Sequence, residues 1–126
     1  MRERLLKKDN AAEEHIRYLL DKLPLKYERE HPLIVKGQRF FLDFFIVAAT
    51  SNGRQKKMGV VVEVDEGYHF TKEQREQDRV RDTYLQKCIG INSILRIGSR
   101  VAHKISADDL MYEITSMGKG CTRQMY

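Results

Sequence analysis

The chain has 126 residues, of which 41% are hydrophobic and 33% are charged, and its formal net charge is +5. These values are typical of a single folded domain and exclude a disordered chain, and no apolar run reaches the ~20 residues needed to span a bilayer. Two cysteines without CxxC spacing exclude a disulfide framework and a thiolate zinc site. We therefore expect a reduced, cytoplasmic protein.

Positive charge is concentrated in three segments. Residues 1–8 and residues 54–57 carry +3 each, and residues 118–126 carry +2. We expect the two terminal segments to be flexible around a core of about residues 10–117, in one domain that covers 1–126. Basic charge around a slightly acidic body favours a polyanionic partner, although solvated termini and turns explain the same charges.

The first half of the sequence predicts one helix and a set of strands. Asn10 and Glu13 have the spacing of a helix cap, apolar residues follow at helical spacing, and Pro24 ends the helix. Aromatic and β-branched residues predict strands, with a turn at residues 51–53 before the last of them. The predicted strands cover residues 33–36, 39–49 and 58–64.

The second half alternates helix and strand. A capping box at residues 71–74 opens a helix that runs to about Cys88, with Gly90 as its C-cap. A strand over residues 91–97 follows, and Ser106 caps a last helix. The helical return between the last two strands is typical of a parallel crossover. The order α-β-β-β-α-β-α predicts an α/β (α+β) fold with a mixed central sheet flanked by helices.

Acidic residues interrupt two strands that are otherwise apolar. Asp43 lies among phenylalanines and Glu63 among valines, where a carboxylate is costly unless it is paired or coordinated. Asp65 shares a face with Glu63 if the strand stays extended, and a hairpin would place Asp43 beside Glu63. Because close carboxylates repel and a divalent cation removes that repulsion, we predict a Mg²⁺ site at Asp43, Glu63 and Asp65.

Such a metal site suits phosphodiester hydrolysis, because the cation polarises the phosphoryl oxygen and lowers the pKa of a bound water. His69 follows the acidic strand and is a candidate base for that water, or a histidine packed by Tyr68 and Phe70. The alternative interpretation of the acids is that each pairs with a neighbouring arginine or caps a backbone amide.

Several cations are candidate phosphate ligands. In the predicted helix after His69, Asp78 is a candidate to orient His69 or a metal-bound water, and Arg79 is a candidate to bind phosphate. The alternative is an exposed helix whose i,i+4 ion pairs explain most of the charges on this helix. Arg96, inside an apolar strand, either neutralises an acid or contacts phosphate. The turn residues expected to contact backbone phosphates are Arg54, Lys56 and Lys57.

Four segments carry a recognisable pattern in a fixed order: Phe40-Phe-Leu-Asp43-Phe; Val61-Val-Glu63-Val-Asp65-Glu-Gly67-Tyr-His69; Asp78-Arg-Val-Arg-Asp82-x-x-Leu85; and Gly90 with Ile94-Leu-Arg96-Ile. Over about residues 12–97 the pattern resembles the very-short-patch-repair-endonuclease-like (Vsr-like) branch of the PD-(D/E)XK nuclease superfamily. The resemblance implies a restriction-endonuclease-like core, dependence on Mg²⁺, for which Mn²⁺ substitutes, and DNA cleavage.

The resemblance also implies roles for individual residues. Asp43 matches the metal-binding Asp, and Glu63 and Asp65 fill the E-x-D position, where broader superfamily members have (D/E)-x-K. The other matched catalytic positions are His69, Asp78 and the first-helix acid Glu13, with Glu14 as the rival.

The sequence departs from the family pattern in three respects. The catalytic lysine is absent, so His69 would have to serve as base or stabiliser. Glu66 is inserted before Gly67 and shifts the loop. The zinc-binding residues of the patch-repair enzymes have no counterpart, so mismatch-specific repair is not implied.

We therefore expect a metal-dependent DNA endonuclease or nickase, in which Mg²⁺-activated water attacks the phosphodiester bond. The alternatives are a catalytically inactive nucleic-acid-binding or regulatory protein with the same fold, and an RNA-directed nuclease. DNA is the expected partner and a membrane is not. A homodimer or a larger nuclease system would supply the second site that cutting both strands needs.

Overall fold

The computed structural model describes residues 11–35, 37–65, 72–88 and 90–126. The elements in these ranges follow one another as helices α1 to α4 and strands β1 to β5. In chain order they are α1 (Ala11–Lys22), β1 (Leu25–Val35), β2 (Gln38–Ser51), β3 (Arg54–Asp65), α2 (Lys72–Gln86), β4 (Ser93–Gly98), α3 (Ser99–Lys104), α4 (Ala107–Ser116) and β5 (Thr122–Met125).

The strands form one mixed sheet whose spatial order is the same as their order in the chain. β1, β2 and β3 pair antiparallel, and β3, β4 and β5 pair parallel. Helix α2 provides the return that parallel pairing of β3 with β4 requires. The predicted mixed α/β sheet flanked by helices is confirmed.

The sheet separates two apolar cores. On one face, β3 packs against α1, α3 and α4 in a large cluster that includes Ile16, Val60, Val62, Ala102 and Leu110. On the other face, Val61 packs with Leu85 of α2 and Ile94 of β4. Because side chains alternate along a strand, Glu63 and Asp65 follow Val61 on the side of the sheet that carries α2.

The C-terminal segment differs from the prediction. Residues 118–126 are expected to be flexible, yet β5 pairs with β4 along the edge of the sheet. The backbone N–H of Ile94 donates to the carbonyl of Cys121 at 3.0 Å, and that of Gly120 donates to Asn92 at 2.6 Å. Arg123 Nη1 donates to Glu113 Oε1 at 2.5 Å. These bonds fix the segment, so the core extends to Met125 rather than ending near residue 117.

The described helices have 6 to 15 residues. In the last of them, Ser106 Oγ accepts from the N–H of Asp109 at 3.1 Å, which confirms the predicted cap. The caps predicted at Asn10 and Thr71 lie outside the described residues. Across the described part of the chain, no helix is both long enough and apolar enough to cross a membrane.

The absence of a side chain at Gly59 allows β3 to lie close to the loop before β4. Gly59 has a φ of +110°, and a Cβ there would lie 2.3 Å from the carbonyl oxygen of Gly90. Gly59→Ala is therefore expected to destabilise the protein by about 2–4 kcal/mol, because it adds backbone strain to a backbone collision. Urea unfolding measures the effect. Gly118→Ala, which meets nothing within 4 Å, is the control, and equal losses in both variants would contradict the prediction.

Candidate active site

Asp43 lies where the backbone pairing of β2 with β3 ends and its pairing with β1 is interrupted. The β2–β3 register ends at Phe44 and Val62, and the pairing of β2 with β1 skips Glu30, which has a φ of +49°. Carboxylates replace the missing backbone bonds. The N–H of Asp43 donates to Glu63 Oε2 at 3.2 Å, and the N–H of Val64 donates to Asp43 Oδ2 at 2.9 Å. The two acids therefore lie side by side between the strands.

The environment of Asp43 disfavours its charged form. Burial, the largest cause, and the negative charge of Glu63 raise the pKa of Asp43 well above its usual range. The N–H of Val64 and the guanidinium of Arg81 oppose this rise, and the charge of Glu13 adds to it. Two neighbouring carboxylates in a buried place carry an energetic penalty that a proton or a cation removes.

Helix α1 contributes Glu13 to this environment. Glu13 is buried, whereas the side chain of Glu14 is about half exposed. Arg29 Nη2 donates to Glu13 at 3.1 Å and to Glu14 at 2.9 Å, and Arg17 Nε donates to Glu14 at 2.7 Å. Because the charge of Glu13 acts on Asp43, Glu13 rather than Glu14 is the first-helix acid beside the pair.

Asp65 has partners of its own. Its Oδ2 accepts from the hydroxyl of Tyr126 at 2.7 Å and lies 3.7 Å from Arg96 Nε. Among the described residues, no three His, Cys, Asp or Glu side chains form a group that could hold a metal ion. Of the predicted triad, the structure brings Asp43 and Glu63 together, and it gives Asp65 the partners Tyr126 and Arg96.

Glu63 is paired with an arginine as well as with β2. Arg81 Nη1 of helix α2 lies 3.0 Å from Glu63 Oε1, and both side chains are largely buried. Pairing of each acid with an arginine, the alternative interpretation of the sequence, therefore describes Glu63 and Asp65. The positive charge of Arg81 also acts on Asp43, whose pKa it lowers against the larger effect of burial.

The predicted phosphate ligands occupy two kinds of position. Arg79 is exposed and forms an ion pair with Glu76 on the outer side of α2. Arg96 is only 1% exposed, and its Nη2 donates to Asp82 Oδ1 at 2.7 Å. Of the two roles predicted for Arg96, its pairing with Asp82 and Asp65 corresponds to the neutralisation of acids. The exposed cations of the β2–β3 hairpin are Arg54, Lys56 and Lys57.

Two predicted residues cannot be placed in this geometry. His69 and the side chain of Asp78 lie outside the described residues.

The sequence assigns no role to four side chains that complete the site. Spacing could have identified Arg81, because it lies one helical turn before the buried Leu85 of α2. No such signal exists for the residues contributed by distant segments, since only the fold brings them close. The four are Arg29, Arg81, Asp82 and Tyr126.

Among the described residues, the carboxylates of this cluster outnumber the arginines that pair with them. Glu63, Asp65 and Asp82 pair with Arg81 and Arg96, and Asp43 lies beside Glu63. The cluster therefore has an excess of negative charge when all its acids are ionised. Two adjacent carboxylates with an excess of negative charge are the ligands that a hard divalent cation prefers. Asp43 and Glu63 thus fit the predicted Mg²⁺ in ligand type and charge.

Comparisons with protein-family models, with curated proteins and with solved structures find no match. A mixed sheet flanked by helices supports many unrelated activities, so the fold alone assigns none. The function has to be inferred from the acids and from the side chains that surround them.

Proposed function

We propose that the protein is a metal-dependent DNA endonuclease or nickase with a restriction-endonuclease-like core, as its resemblance to the Vsr-like branch of the PD-(D/E)XK superfamily implies. The observation that carries the proposal is the adjacent pair of half-buried Asp43 and buried Glu63 at the point where β2 and β3 separate. A fold that needed no cation there would gain stability by replacing one of these acids with an apolar residue.

In this proposal Asp43 and Glu63 hold Mg²⁺ or Mn²⁺. When bound, the ion supplies an activated water and neutralises charge on the scissile phosphate. Asp65 is held by Tyr126 and Arg96, so we assign direct metal binding to the other two acids only. His69 remains the proposed base, and Asp78 the residue proposed to orient it.

The β2–β3 hairpin is the proposed contact with the DNA backbone. Its exposed cations Arg54, Lys56 and Lys57 lie on β3, the strand that also carries Glu63. A strand rises ~3.3 Å per residue, so Lys57 lies about 20 Å from Glu63 along β3. That distance corresponds to about six nucleotides of one strand of duplex DNA. We therefore place these phosphate contacts roughly half a helical turn from the scissile bond.

A nucleic-acid-binding or regulatory protein that does not cleave is the second candidate. The arginine partners favour it, because Arg81 on Glu63 and Arg96 beside Asp65 supply positive charge to two of the three predicted metal ligands. In that case the basic hairpin would still bind phosphates, with an affinity that falls as salt rises.

Supercoiled plasmid and a structured RNA separate the candidates. The full chain is incubated with each substrate in Mg²⁺, in Mn²⁺ and in EDTA. We expect the wild type to nick plasmid only with metal, and Asp43→Asn to nick none. Asp108→Asn, at an exposed position of α4, is the matched control and should match the wild type. Plasmid that is retarded but uncut would establish the binding protein, and degraded RNA beside intact plasmid an RNA-directed nuclease.

A further inference from the structure

Arg81 pairs with Glu63, one of the two acids that would hold the proposed cation. One oxygen of Glu63 accepts from the backbone of Asp43, and the other lies 3.0 Å from the Arg81 guanidinium. Arg81 also lowers the pKa of Asp43, so its positive charge acts on both members of the pair. A single guanidinium on α2 therefore serves two carboxylates on two strands.

A divalent cation and Arg81 compete for the same negative charge. If the ion binds Glu63 while Arg81 stays, the two cations repel each other across a short distance in a largely buried place. The repulsion is relieved when the guanidinium moves away from Glu63. Because Leu85 packs α2 against the sheet in the smaller core, the backbone of Arg81 stays near the acids when its guanidinium is displaced.

We propose that Arg81 is an internal counter-ion of the Asp43–Glu63 pair, which a divalent cation displaces and which then binds the phosphate that the cation attracts. The inference deepens the proposed nuclease function and rests on it. A planar guanidinium suits both partners, since its donors match a carboxylate and a phosphate equally well. Before metal binds, Arg81 stabilises the acids, and afterwards it stabilises the substrate.

Binding of Mn²⁺ to the full chain without DNA tests the displacement. Free Mn²⁺ is measured by electron paramagnetic resonance during titration of the wild type, Arg81→Met and Arg79→Met. We expect Arg81→Met to bind Mn²⁺ at least about tenfold more tightly than the wild type, because the competing charge is gone. Arg79→Met removes the same group two residues away, where it pairs with the exposed Glu76, and should bind as the wild type does.

Plasmid nicking at saturating Mn²⁺ tests the second role of Arg81. We expect Arg81→Met to be slower than the wild type although it binds the metal more tightly, since the phosphate has lost its guanidinium. Arg81→Lys, which keeps the charge but not the fork of donors, should lie between the two in both measurements. Opposite changes in metal affinity and rate are not produced by a purely structural arginine.

The outcomes distinguish the counter-ion role of Arg81 from the metal-dependent function on which it rests. If the wild type binds Mn²⁺ and Arg81→Met binds it equally or more weakly, the counter-ion role is wrong and the metal-dependent function stands. If neither the wild type nor any variant binds Mn²⁺, the counter-ion role and the metal-dependent function are both wrong. Arg81→Met is also informative if it fails to fold without metal. Recovery of its thermal unfolding transition on adding Mn²⁺ would then support the counter-ion role. No recovery, together with an unchanged Mn²⁺ affinity in Arg81→Lys, would overturn that role.

Discussion

Asp43→Asn is expected to unfold at a higher temperature than the wild type at pH 8 while it loses at least ~100-fold of the nicking activity. The asparagine oxygen can still accept from the N–H of Val64, so the backbone bond that Asp43 makes is kept. The repulsion between Asp43 and Glu63 is removed together with the cost of burying a charge. We expect a gain of roughly 1–2 kcal/mol in the free energy of unfolding.

The stability that Asp43→Asn gains over the wild type should increase as the pH rises. Because the pKa of Asp43 is raised in the folded state, the folded protein keeps a proton that the unfolded chain, with a pKa of ~3.9, has already released. The wild type therefore loses stability as the pH rises from about 4 through the raised folded pKa. Asparagine does not titrate, so Asp43→Asn lacks this loss. Burial also raises the pKa of Asp82, but Asp82 is present in both proteins and cancels in the comparison.

Urea unfolding at pH 5 and pH 8, with and without Mn²⁺, measures this difference. The two proteins should be closest at pH 5 and furthest apart at pH 8 without metal. Mn²⁺ should stabilise the wild type at pH 8 and leave Asp43→Asn unchanged. Asp108→Asn should follow the wild type at each pH. Lower stability of Asp43→Asn at pH 8 would contradict the prediction, because it would show that the carboxylate contributes more through its contacts than it costs.

The central part of the fold could be predicted from local patterns. The apolar runs of β2, β3 and β4 and the helix between the last two identify the mixed sheet and its parallel crossover. The remaining elements lack such a signal. Strand β1 begins at Leu25 and not at residue 33. Its half-buried and exposed side chains alternate over a polar sequence, so its first part lacks the apolar run that identifies the other strands. The strand β5 has four residues and depends on bonds to β4 and α4.

The acidic pair could also be predicted, because a carboxylate inside an apolar strand is costly without a partner. The side chains that pair with these acids could not be predicted. Asp65 and Tyr126 are 61 residues apart in the chain, and Arg29 and Glu13 are 16 apart. Sequence spacing does not state which arginine meets which acid, since the relative position of helix and strand decides it. Prediction therefore identifies which groups need compensation, and the fold decides whether an arginine or a cation provides it.

Arg96→Met is expected to cost about 3–5 kcal/mol of stability, the usual effect of removing one partner from a buried ion pair. Arg96 is almost fully buried, donates to Asp82 at 2.7 Å and lies 3.7 Å from Asp65. Methionine fills much of the same space and leaves both acids without this charge. Arg79→Met, which breaks an exposed ion pair with Glu76, should leave stability nearly unchanged.

Charge rather than lost packing is the expected cause, and two measurements separate them. Adding Asp82→Leu to Arg96→Met should recover part of the loss, because a buried ion pair replaced on both sides by apolar groups is often neutral. Burial raises the pKa of Asp82, and Arg96 opposes that rise. Without Arg96 the carboxyl should protonate at higher pH, so the loss should shrink from pH 7 to pH 5. An equal loss at both pH values, with no recovery in the double variant, would instead assign the role of Arg96 to packing.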